Sequence, residues 1–306
     1  MSVLFYVSFG LCIDIFLPAW YNNCVLIIIP QSAYDCERRI IMAKEKTGKK
    51  KKWPWVLLTI LVLIGALVGF LCMKASSNMK IMNDTIDEGM KKLSEYTDVT
   101  PVDAGEYSEI KLYGLMKFDV SQYDVSELGN LSVMKVNMGF MQMASFIITP
   151  YEKNMPMLSM DFMYIGSNRK AYVEFYDLVK DTSDSAYTEV LGSLKALQSS
   201  YSDMEELAVD PAWYDDLLTV VMHKVSKDDT RVKKLFVDSV DTYMQAASGL
   251  EALSDDARAE KHEITQKYCD DLVSNGGVST DVFKKELGEA TTKDFFDKVL
   301  FGPARY

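Results

Sequence analysis

FMQMASFIITPYEKNMPMLSMDFMYIGSNRKAYVEFYDL, residues 140–178, is the stretch whose reading decides the fold. It holds three apolar, β-rich runs, 140–149, 159–166 and 170–178, separated by a proline-bounded connection and by the turn signal Gly-Ser-Asn-Arg-Lys. Runs joined this closely pair antiparallel, because a parallel crossover needs a dozen or more residues. The middle of the stretch is unusual. Between Thr149 and Gly166, two prolines and four methionines surround one aspartate, Asp161. Alternation puts Ser159, Asp161 and Met163 on one face of the strand and Met160, Phe162 and Tyr164 on the other. One face is thus polar enough to be a site, and the other is core.

Outward from this centre the same pattern continues. Residues 109–118, 130–138 and 217–225 also read as strands, with Gly139 as a turn. Helical spacing appears at Ile86/Met90/Leu93, Val190/Leu194/Leu197/Tyr201, Val232/Phe236/Val240/Tyr243 and Ile264/Tyr268/Leu272, then at 279–287 and 291–301. Helices grouped before and after a run of strands can cover both faces of the sheet. The expected class is α/β, an α/β/α sandwich around a mainly antiparallel sheet.

The 306 residues are 48% hydrophobic and 25% charged, an ordinary globular composition. Residues beyond Ser77 carry 24 basic against 40 acidic side chains, a net of −16. A surface this acidic repels phosphate backbones, which argues against a nucleic-acid partner. Cys269 has no cysteine partner in the globular part, so no internal disulfide is expected there. With His223 and His262 as its only histidines, that part offers no zinc-type spacing and no metal site is expected. The fragment 78–306 should therefore fold alone, as a monomer.

WPWVLLTILVLIGALVGFLCM, residues 53–73, is uncharged and long enough at about 1.5 Å per residue to cross a bilayer. It reads as one transmembrane helix. Six lysines between Lys44 and Lys52 precede it, and Lys74 and Lys80 follow. The positive-inside rule then makes 42–52 a basic cytoplasmic segment and places the C-terminal domain outside the cytoplasm. A cleaved signal peptide ending near Ala75-Ser76-Ser77 is the alternative, although the apolar run exceeds the usual length of about 7–15 residues. Residues 74–100 read as a linker and first helix, and 101–306 as the globular domain. Residues 1–41 fit no domain. "ERRIIM" back-translates into a purine-rich ribosome-binding sequence ahead of Met42, so this segment reads as an over-extended frame. The other reading is a weak membrane segment over 3–20.

Several blocks resemble the ferredoxin-dependent bilin reductases. Pro156 followed five residues later by Asp161, after a strand ending at Pro150, resembles that family's Pro-x-Tyr-Asp-Leu-Pro-x-Phe-x-x-Asp block. "VEFYDL" (173–178), "DPAWYDDLL" (210–218) and "VFKKELGEATTKDFFDKVLFG" (282–302) are similar to further family blocks, in the same order. The resemblance implies an α/β/α sandwich that reduces a linear tetrapyrrole, with electrons from ferredoxin and protons from side chains, and with no bound metal or flavin. It makes Asp161 the proton donor. The chemistry suits the residue, because an aspartate in an apolar pocket has its charged form disfavoured and can hold a proton near neutrality.

Departures from the family pattern are equally specific. Relatives that reduce biliverdin furthest have a histidine where Ser145 stands. A second polar catalytic position falls near Asn275, which on residue type alone is a turn residue before two glycines. Lys224 occupies the place of an arginine that holds a propionate, keeping the charge but losing the bidentate fork. His223 alternates with Val221 and Val225 and reads as a packed histidine or a replacement proton donor. Asp161, Asn275 and His223 are thus the catalytic candidates. Lys224, Ser145, Met143 and Met163 are the substrate-binding candidates, the methionines as adaptable walls for a flat ligand. The expected partners are a linear tetrapyrrole or similar apolar ligand, the membrane and an external electron-donor protein. Ferredoxin itself is acidic and cytoplasmic, which sits badly with an outward-facing domain at −16. The alternatives are a non-enzymatic binding module of the same fold and a membrane-tethered structural protein.

Overall fold

The computed structural model describes residues 3–7, 11–15, 53–114 and 116–306, which divide into two compact units, Met1–Ile64 and Gly65–Tyr306. In the first, β1 (Val3–Val7) and β2 (Leu11–Ile15) pair antiparallel. Met42 and the lysines at 44–52, on which the reading of a late start and a basic segment depends, lie outside the described residues.

The helix α1 runs from Trp53 to Ser94 without interruption. Its first part is long and apolar enough to cross a membrane, with mean hydropathy 2.9 over the most apolar window. The linker expected after residue 74 is therefore helical. Its polar look is explained by burial, because Ala75, Asn78, Met82, Thr85, Ile86, Gly89 and Leu93 lie along one stripe of the helix and are all buried. Two of these stripe positions are polar and satisfied. Asn78 donates to Gln142 Oε1 at 2.9 Å and to the Gly166 carbonyl at 3.2 Å, and Thr85 donates to the Ile81 carbonyl at 2.8 Å. That substitution of polar for apolar residues hides the helical period.

The sheet contains β3 (Val99–Val102), β4 (Glu109–Leu112), β5 (Met116–Val125), β6 (Gly129–Asn137), β7 (Met141–Pro150), β8 (Met157–Ile165), β9 (Asn168–Tyr176), β10 (Glu205–Glu206) and β11 (Leu218–Ser226). Its order is β10-β11-β9-β8-β7-β6-β5-β3, with β4 also on β5, and every pairing is antiparallel. The single strand expected at 109–118 is folded back on itself, since Tyr113 and Gly114 both adopt positive φ. At the turn after β8, Gly166 (φ +58°) takes the first central position of a two-residue hairpin, where an L side chain is strained.

Helices cover both faces. On one side lie α1, α2 (Ser185–Ser200) and α3 (Asp229–Ser248), packed on Phe146, Met160, Phe162, Val173 and Met222. On the other lie α4 (Asp255–Asn275), α5 (Val278–Leu287) and α6 (Glu289–Phe295), which continues as a π-turn over Phe296–Leu300. These pack on Phe118, Val120, Met134, Val136 and Ile147. Capping fixes the helix starts. Asp184 accepts from Tyr187 N at 2.9 Å, Asp228 from Thr230 N at 2.9 Å, and Ser254 from Ala257 N at 3.3 Å. The α/β/α sandwich expected from the sequence is the fold observed.

Candidate functional site

Antiparallel register sets side chains of adjacent strands beside one another on the same face. Ser145 on β7 pairs with Asp161 on β8, Asp161 with Tyr172 on β9, and Tyr172 with His223 on β11. These four side chains form a row across the sheet on the face that packs against α4, α5 and α6. Met143 and Met163, paired with each other, form the next row together with Lys170, while Ser159 and Glu174 lie on the other side. Met143, Ser145, Asp161, Met163, Lys170, Glu174 and His223 are all half-buried, so the helical layer leaves this part of the face accessible.

Asp161 is hydrogen-bonded by the Ser145 hydroxyl. Burial pushes its carboxyl up to about 6, with the Ser145 hydrogen bond opposing and the negative charge of Glu174 adding to the rise. A carboxyl in that range can both hold and release a proton near neutrality. Glu174 is itself engaged twice. His223 Nε2 lies 2.6 Å from Oε1, and the Tyr176 hydroxyl donates to Oε2 at 2.5 Å. The His223 and Tyr172 rings meet edge to face, 5.4 Å between centroids. Tyr214, in the turn before β11, has its phenol pushed to about 12 by burial and then by the charges of Glu174 and Asp161, so it borders the same cluster.

Of the residues singled out from the sequence, Asp161, Ser145, Met143, Met163 and His223 come together on one face. Lys224 does not. It follows His223 on the same strand and therefore points to the opposite face, where it is buried and paired with Glu206. The cation on the Asp161 face is Lys170. Asn275 is exposed at the last position of α4. The next residue's carbonyl accepts from Trp213 Nε1 at 2.7 Å, which places Asn275 near the rim rather than in the row. The residues missed from sequence were Tyr172, Glu174 and Tyr176. Their signal was present, since alternation along "KAYVEFY" sets them on one face once β9 is registered on β8. A cavity of about 460 Å³ lies elsewhere, beside the β5–β6 turn, and is lined by Asp124, Glu127, Glu152 and Lys153 among others. Its acidic wall is a poor match for a flat apolar ligand.

The family model for ferredoxin-dependent bilin reductases matches residues 92–302, and the chain belongs to that family. Members take electrons from ferredoxin and act on bilins. Among solved structures, the chain is similar to phytochromobilin synthase from tomato, determined in complex with biliverdin. The TM-score is 0.59 at 14% identity, over 72% of this chain and 83% of that one, a likeness of fold. No curated protein matches.

Proposed function

We propose that this chain is a membrane-anchored reductase of a bilin-like linear tetrapyrrole in which Asp161 supplies a proton. The carrying observation is the Asp161 carboxyl, set near 6 on an accessible face bordered by methionines. The pigment would lie over Met143, Ser145 and Met163, with Lys170 within reach of a propionate. An external donor gives one electron, the reduced pigment becomes more basic, and Asp161 gives up its proton to it. A second electron and a second proton complete the two-electron step. The Glu174–His223 pair, in the same cluster, is the candidate source of that second proton and takes the place of the imidazole missing at Ser145. Residues 53–73 would hold the domain at the membrane, outside the cytoplasm.

The test is reduction of biliverdin by the full chain, followed by absorbance, with reduced ferredoxin in one arm and a photochemical reductant in the other. Turnover in the second arm alone would assign a different natural donor. Asp161→Asn should bind pigment but lose roughly two to four orders of magnitude in turnover. Undiminished turnover would remove Asp161 from the chemistry, and binding without turnover in the parent would make the chain a binding module. Protease added to intact cells should digest the domain if it faces outward, and full protection would reverse the topology.

A further inference from the structure

The two ends of the sheet differ in chemistry. At one end, the segments 112–116, 137–141 and 165–168, which carry three hairpin turns, contain no charged residue. At the other end, the connections 125–129, 150–157 and 177–184 carry Glu127, Glu152, Lys153, Asp177, Lys180, Asp181 and Asp184. The connection from β11 to α3 reaches the same end, because Ser226 pairs with Arg169, and with the first residue of α3 it carries Lys227, Asp228 and Asp229, so the three uncharged tips form a run of neighbouring turns that stops at that edge. The apex of the run is Phe140, 47% exposed in the turn between β6 and β7, with Met138 half-buried beside it.

This end is tied to the start of the soluble part of α1. Asn78 Nδ2 donates to Gln142 Oε1 at 2.9 Å and to the Gly166 carbonyl at 3.2 Å, while Arg169 donates to Asn78 Oδ1 at 3.1 Å. Gln142 in turn donates to Asn137 Oδ1 at 3.1 Å and to the Gly139 carbonyl at 3.0 Å, which fixes the Phe140 turn. Five residues before Asn78 the helix is wholly apolar and exposed, with Met73 68%, Leu71 44% and Phe70 59% accessible. Five helical residues rise about 7.5 Å. From Gln142, Phe140 is two strand residues further in the same direction, about 7 Å. Phe140 and Met73 are thus each a similar length of chain beyond the Asn78–Gln142 contact.

The geometry points to a lipid-bilayer surface as the partner of this end of the domain. Phe140 and Met138 enter the boundary between headgroups and acyl chains, and the uncharged turn at 165–168 rests on the headgroups. The acidic end points away. An aromatic side chain at a bilayer interface gains from its apolar burial without stranding a charge. The inference rests on the membrane anchoring proposed above for residues 53–73.

The full chain reconstituted into phosphatidylcholine vesicles, with and without bromine on the upper acyl carbons, tests both ideas separately. Tryptophan is introduced as F140W, as M138W and, at the opposite end of the sheet, as Y96W, and the emission of the parent chain is subtracted. Co-flotation with the vesicles in high salt reads the anchor. The added emission of F140W and M138W should be blue-shifted and lost in brominated vesicles, while that of Y96W is kept. Co-floating chains with both probes unquenched would overturn the bilayer contact and leave the anchor standing. Equal quenching of all three probes would also overturn it, because no end would then be preferred. Failure to float would overturn the anchor and the contact together.

Discussion

Glu174 holds two side chains from opposite directions, with His223 Nε2 2.6 Å from one carboxylate oxygen and the Tyr176 hydroxyl 2.5 Å from the other. Its charge also helps keep the Asp161 proton in place. Glu174→Gln removes that charge and retains an acceptor, so Asp161 should titrate at lower pH than in the parent. Carboxyl carbon shifts followed through a pH titration would show this. An unchanged or higher midpoint would mean that the two groups do not communicate.

Asp161 also makes stability depend on pH. Its folded value of about 6 lies above the ordinary 3.8, so the unfolded chain ionises first as pH rises. The contribution of the protonated carboxyl is full below about 4 and is lost as pH climbs through about 6. Asp161→Asn never carries the charge. It should be more stable than the parent at pH 7.5, by at most about 3 kcal/mol and by less where solvent screens the half-buried site. The difference should close by pH 4. Denaturation midpoints at pH 4.5, 6 and 7.5 decide the matter, and a gap that widens on acidification would refute the burial argument.

Gly89 on α1 lies against the ring of Phe236 on α3. A Cβ there would sit 2.1 Å from the ring's Cε1. The ring has nowhere to go, because Phe146 and Phe162 meet it edge-on at 5.1 and 5.3 Å. Gly89→Ala should destabilise the domain by roughly 1–3 kcal/mol, despite alanine's advantage of about 1 kcal/mol in a free helix. Phe236→Leu in the same chain should recover part of the loss. Thermal unfolding of the single and double variants measures both effects.

Arg169 is 1% exposed and joins three elements. It pairs with Asp229 at the start of α3, donates to the Gly166 carbonyl at 2.9 Å and to Asn78, and lies 4.3 Å above the Tyr164 ring. Lysine keeps the charge but cannot hold these partners in one plane. Arg169→Lys should therefore cost about 2–4 kcal/mol. Protease cutting near residues 166–168 should accelerate with it, and an unchanged unfolding midpoint would show that the network adds nothing.

Much of the sheet was legible because its residues obey a simple period. The runs at 140–149, 159–166 and 170–178 fall within two residues of β7, β8 and β9. Asp161 stood out for the same reason, as a carboxylate on one face of an apolar strand. Where reading failed, a second pattern overrode the period. Buried Asn78 and Thr85 masked the continuation of α1, and Tyr113, a non-glycine at positive φ, hid the turn that splits β4 from β5. Lys224 was assigned to the site through a family position, although its neighbour His223 was assigned there too. Consecutive strand residues cannot share a face, and in the structure His223 lies on the Asp161 face while Lys224 lies on the opposite one, paired with Glu206.

The continuity of α1 separates two boundaries that are easily taken as one. Family likeness begins at residue 92, but Met82 and Ile86 are 1% and 5% exposed in the core beside Phe236. A fragment cut where the likeness starts would lack one wall of that core and leave a greasy trough along the sheet. Such a fragment should aggregate or recruit a substitute helix from another copy. A fragment beginning at residue 75 keeps Asn78 and its clasp on Gln142, and should stay soluble. The stretch that carries the family likeness is thus shorter than the unit that packs as one core.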